Sequence, residues 1–117
     1  MVSLIWNTRE DLDLKVTCPG QKYVNHANRD VEKNNCGTLD IDANVASKSN
    51  KITKRPIENI LLKETEGYFE IQVKSIKNKE SLNSGTPFKV HVKSDQNNTI
   101  FEDKIFPSKI KTFTFER

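Results

Sequence analysis

Residues 67–76 read GYFEIQVKSI, and their reading decides the fold. Phe69, Ile71 and Val73 fall on one side of an extended chain, and Tyr68, Glu70 and Gln72 on the other. This period of two marks a half-buried β-strand. TPFKVHVKS (86–94) repeats it, setting Phe88, Val90 and Val92 against Lys89, His91 and Lys93. KTFTFER (111–117) repeats it with Phe113 and Phe115. Working outward, short apolar runs predict strands over 3–7, 11–18, 22–24, 38–42, 57–62, 67–77, 86–94, 98–105 and 110–116. Polar, glycine- or proline-bearing clusters punctuate them: CPGQ (18–21), ETEGY (64–68), NSGTP (83–87) and DQNN (95–98). No segment keeps a helical period over three turns. The best helix candidate, SKSNKITKR (47–55), is strongly polar. The expected fold is all-β: a single antiparallel β-sandwich, jelly-roll-like, over residues 1–117, with 94–117 read as an extra terminal hairpin. Residues 25–37 and 43–56 read as long polar loops that flank one strand and rise near the same end of the sandwich.

The 117 residues suffice for one domain with a real core. Nineteen Lys and Arg stand against sixteen Asp and Glu, a net charge of +3, and the basic residues are interspersed. Without a dense basic block, nucleic-acid binding is not expected. No apolar run reaches the length of a membrane span. MVSLIWN is too short for a signal peptide. It reads as the start of an excised domain or a processed form, so the terminus does not indicate localisation.

Within this pattern, EDLDLKVTCPG (10–20) buries Leu12, Leu14 and Val16 and leaves Asp11 and Asp13 on the opposite face. Aspartate is a poor strand residue, and unpaired like charges on one sheet face repel. GTLDIDAN (37–44) repeats the problem with Asp40 and Asp42, followed by Asn44. PIENI (56–60) adds Glu58 and Asn59. If the two acidic strands are neighbours, their carboxylates cluster. Calcium, which takes six to eight oxygen ligands, then suits the set better than magnesium. The competing reading is that these aspartates are solvated, pair with Lys15 or Arg9, or cap adjoining loops.

Cys18 ends the first acidic strand and Cys36 immediately precedes the second. Three readings stay open: a disulfide closing the 19–35 loop, two free buried thiols, or zinc with His26. A disulfide favours an oxidising compartment, extracellular, periplasmic or in a phage particle. His26 and His91 read as surface histidines. The sequence carries no nucleophile elbow, no HExxH and no phosphate-cradling glycine loop, and its carboxylate pairs come with no sign of a cleft. No catalytic role is expected. Trp6, Phe69, Phe88, Phe113 and Phe115 read as core; Phe101 and Phe106 are unassigned.

LIWNTREDLDLKVTCPGQ, CGTLDIDAN, RPIENI, GYFEIQVKS and TPFKVHV occur in this order over residues 3–93. The series resembles a β-sandwich domain of bacterial and phage proteins with no assigned ligand. That domain is loosely similar to the calcium-stabilised, pre-peptidase-type accessory domains of secreted peptidases. The resemblance implies an accessory or binding module, with Asp11, Asp13, Asp40, Asp42, Glu58 and Asn59 as its functional positions. The resulting expectation is a non-catalytic calcium-binding module that recognises a protein or carbohydrate partner. The alternatives are a metal-free structural or protein-interaction domain and a metal-dependent hydrolase.

Overall fold

The computed structural model describes residues 1–8, 10–41, 57–76, 85–94 and 98–117. Alternation of side chains builds its strands: β1 (Val2–Trp6), β2 (Asp11–Thr17), β3 (Tyr23–Val24), β4 (Gly37–Ile41), β5 (Ile57–Leu62), β6 (Tyr68–Ile76), β7 (Thr86–Lys93), β8 (Asn98–Ile105) and β9 (Ile110–Glu116). In β6 the alternation is complete, with Phe69, Ile71, Val73 and Ser75 buried. Two antiparallel sheets result. The larger runs β4-β5-β1-β7-β8 and the smaller β3-β2-β6-β9. Their inner faces share one core that includes Leu4, Leu14, Ile60, Phe69 and Val90. Each fully buried side chain of this kind contributes about 1.5–3 kcal/mol. The protein is therefore an all-β sandwich.

The chain changes sheet between β1 and β2, and the crossing is fixed where Trp6 Nε1 donates to the Glu10 carbonyl at 2.8 Å. A second crossing links β3 to β4. Sequence reading leaves this stretch as an open loop; the structure folds it around asparagine and aspartate side chains. Asn25 Oδ1 accepts the N–H groups of Ala27 and Asn28, both at 3.0 Å. Asp30 caps a one-turn helix, α1 (Val31–Asn34), by accepting the Glu32 N–H. Four residues are too few to show a helical period, which is why the element escapes sequence reading. The buried Asn34 then holds the exit. Its Oδ1 accepts from the Cys36 and Gly37 N–H groups, and its Nδ2 donates to the Asn28 and Gly37 carbonyls. The turn delivers Cys36 to Cys18, and the two form a disulfide. Because β2 and β4 belong to different sheets, this bond ties the sheets together.

Residues 94–117 do not form a separate hairpin. β8 extends the larger sheet beside β7, and β9 extends the smaller beside β6. Between these two edges, Phe101 stacks on Phe113 at 4.9 Å and Phe113 meets Phe88 edge-on at 6.0 Å. Lys111 and Asp103 pair at 3.5 Å across the same opening. Phe101 is thus half-buried against the core, whereas Phe106 is exposed.

Gly67 sits at φ +128°, and its N–H and carbonyl both bond to Arg117 at 2.9 Å. A Cβ there would lie 2.8 Å from Pro19 Cγ. Gly67→Ala is expected to cost about 1–3 kcal/mol in urea unfolding, from strain and from this contact.

Candidate functional site

Asp11 and Asp13 lie on the outer face of the smaller sheet, as alternation requires. Their surroundings answer the charge problem. Register places Lys74 directly opposite Asp13. His26 Nδ1 approaches Asp13 Oδ2 at 3.5 Å, and Lys15 lies over the Tyr23 ring at 4.6 Å. Asp11 is buried.

The second acidic strand is not a neighbour of the first. Among the described residues β2 pairs with β3 and β6, whereas β4 is an edge of the other sheet and pairs only with β5. The shared carboxylate face expected from the sequence therefore does not form. Asp40 is exposed at a β-bulge, where the register shifts between Leu39 and Ile41. Asp42 and Asn44 lie outside the described residues. Glu58 and Asn59 do not serve one site either, because consecutive strand residues face opposite ways. Glu58 points into the core at 1% exposure, and its Oε2 accepts the Leu14 N–H at 3.1 Å. Asn59 points outward and accepts from Ser3 Oγ at 2.7 Å.

Among the described residues no group of three or more His, Cys, Asp or Glu is placed to hold a metal ion. The zinc alternative also loses its ligands. Both cysteines are in the disulfide, and His26 faces Asp13. His91, on the outer face of β7, meets Asn98 Oδ1. A calcium ion bound to the native state would raise the thermal midpoint as RT ln(1 + [Ca²⁺]/Kd) grows, and EDTA would reverse the rise, so that pair of measurements tests the calcium expectation.

What sequence reading missed lies on the outer face of the larger sheet. β1 reads VSLIW, and with Val2, Leu4 and Trp6 inward, Ile5 must point out. In β5, Ile57 and Leu61 do the same. All three are exposed, at 40, 37 and 52%, and register sets Ile5 opposite Ile57. Beside Ile5 is a groove of about 350 Å³ whose lining includes Trp6, Pro87, Phe88, Lys89 and Glu102. Lys89 Nζ and Glu102 Oε1 are 3.5 Å apart on its rim. The signal was available: apolar residues out of phase with the strand's buried set.

At a corner of the opposite sheet, Tyr68 is hydrogen-bonded to the Glu116 side chain, which raises the phenol above its ordinary pKa of 10.0. The proton is held more tightly in the folded protein, so this contribution is present below the ordinary pKa and disappears as pH rises through the folded value. Glu116→Gln should bring one tyrosine's titration, followed by ultraviolet absorbance, back down.

The disulfide is compatible with an oxidising, extracellular location. No helix among the described residues is long and apolar enough to cross a membrane. No protein-family model matches the chain, and neither a curated protein nor a solved structure matches it.

Proposed function

We propose that this chain is a non-catalytic accessory module that recognises a partner through the outer face of its larger sheet, outside the reducing cytosol. The observation that carries the reading is the exposed pair Ile5 and Ile57, opposite each other in register, with Ile5 also lining the groove. Apolar side chains exposed together on a regular sheet mark interaction surfaces. The face stands on a framework pinned by the disulfide and by the three inner strands β5, β1 and β7. A rigid scaffold of this kind lowers the ordering cost of binding. The calcium role loses support because the residues assigned to it are distributed over two sheets and over both faces of β5.

The test is an array of peptides and glycans probed with the wild type and with Ile5→Ser and Ile57→Ser, each checked for an unchanged circular-dichroism spectrum. Hits that need both isoleucines support the reading. Hits indifferent to both substitutions, or no hits at all, count against it.

A further inference from the structure

We infer that the free edge of β8 binds β8 of a second copy of this chain, antiparallel across a two-fold axis at Asp103, so that two five-stranded sheets become one. This goes beyond the recognition reading and does not rest on it. The hydrogen bonds show what the edge offers. Met1 and Lys93 exchange two bonds, ammonium to carbonyl at 2.8 Å and N–H to carbonyl at 2.9 Å. Odd-numbered residues of β7 therefore turn their backbone groups toward β1, and even-numbered ones toward β8. By register, Thr99, Phe101, Asp103 and Ile105 meet β7, whereas Asn98, Ile100, Glu102 and Lys104 turn theirs away from it. Pro87, which has no N–H, falls on the β1 side beyond that strand's end, so it costs the β7–β8 ladder nothing. The Lys104 N–H agrees, since it bonds to Asp103 Oδ1.

A long, regular edge of this kind is a template for another strand. At the far side of the sandwich the edges are blunted: β3 has two residues, and β4 has five with a bulge at Asp40. β8 runs eight residues with no register shift against β7. Charge then selects the occupant and the alignment. With the axis at Asp103, Glu102 of each copy falls opposite Lys104 of the other. Glu102 already faces Lys89 in its own sheet at 3.5 Å, so the row alternates in sign across the junction: Lys89, Glu102, Lys104. Among the described residues Lys104 forms no ion pair within its own chain. Ile100 falls opposite Phe106; they are 55 and 47% exposed in the single chain, and each covers the other. On the inner side, half-buried Phe101 falls opposite Ile105. The two Asp103 side chains meet at the axis, each paired with its own Lys111 at 3.5 Å, so the centre is neutral. Moving the axis to Glu102 or Lys104 opposes like charges, and moving it to Phe101 opposes Glu102 to Ile100. The neighbouring edge, β9, is also regular, but its outward residues Ile110, Thr112, Thr114 and Glu116 carry one charge and no opposite to match it. An axis perpendicular to the sheet keeps both outer faces on one side, so the dimer doubles the apolar surface described above.

The experiment is sedimentation equilibrium of the full chain from about 10 µM to 1 mM, with amide-NMR spectra over the same dilution. A junction of one strand pair is small, so a weak, concentration-dependent dimer is expected in this range. Shifts on dilution should be confined to residues 98–106 and the adjoining part of β7. Lys104→Glu should weaken the dimer about tenfold, since two attractive pairs become repulsive. Adding Glu102→Lys restores opposite charges across the junction and should recover part of that loss. Both positions are exposed, so the variants' own spectra verify their fold. A monomer throughout, a dimer indifferent to Lys104→Glu, no recovery in the double variant, or shifts centred on Ile5 and Ile57 overturns the assignment.

Discussion

Replacing Cys18 and Cys36 together by serine is expected to lower the unfolding free energy by about 3 kcal/mol and the thermal midpoint by roughly 10–15 °C. The bond spans a sequence separation of 18, and chain entropy for a loop of that size gives this magnitude. Its position adds to the effect. It joins the end of β2 to the start of β4, and these belong to opposite sheets, so its loss frees the sandwich along one side. Not all order in the connection disappears, since the four bonds of Asn34 and the Asp30 cap persist without the sulfurs. Thermal unfolding of the variant, and of the wild type in reductant, should agree. A shift below about 3 °C in both would show that those polar bonds suffice.

Glu58→Ala is expected to cost about 3 kcal/mol. Among the described residues β3 pairs with Val16 and Thr17 alone, and none pairs with the earlier part of β2 on that side. The Leu14 N–H points there and finds the Glu58 carboxylate, reaching across from the other sheet. Leaving a buried N–H without its partner costs about 1–3 kcal/mol, and truncation adds the cost of a cavity. Glu58→Gln keeps an acceptor and most of the volume, so it should cost only about 1 kcal/mol. Glu58→Met keeps the volume and removes the acceptor. If Met is as mild as Gln in urea unfolding, packing and not the bond to Leu14 is what Glu58 supplies.

Strand positions were legible because alternation is local. β5, β8 and β9 occupy the spans read from the sequence, and most other ends differ by a residue. Partnership was not legible. The pattern of DLDL states which face each aspartate takes, and says nothing of which strand lies alongside. The echo between DLDL and LDID therefore suggested a neighbour that the topology does not provide. The bulge at Asp40 is likewise a property of the β4–β5 pair, invisible in either strand alone. The split of Glu58 from Asn59 is different. Strand 57–62 was already expected, and adjacent residues of a strand must face opposite ways. Ile5, Ile57 and Leu61 could have been found by the same rule. The disulfide could not be separated from free thiols, since spacing alone does not fix the distance between two strand ends.

β1 is the centre of the larger sheet, and its partners come late in the chain: Ile57 to Ile60 on one side, Phe88 to Val92 on the other. Pairings so distant in sequence make for slow folding, in the range of milliseconds to seconds. During synthesis the delay is longer. At the usual ~5–20 residues per second, VSLIW waits roughly 3–11 s for β5, its first partner, to emerge. For that time an apolar, β-prone segment has no mate within its own molecule. Nascent chains crowded together at high expression will pair through it with one another, so soluble yield should rise when synthesis is slowed by cooling or when chaperones that shield extended apolar segments are abundant.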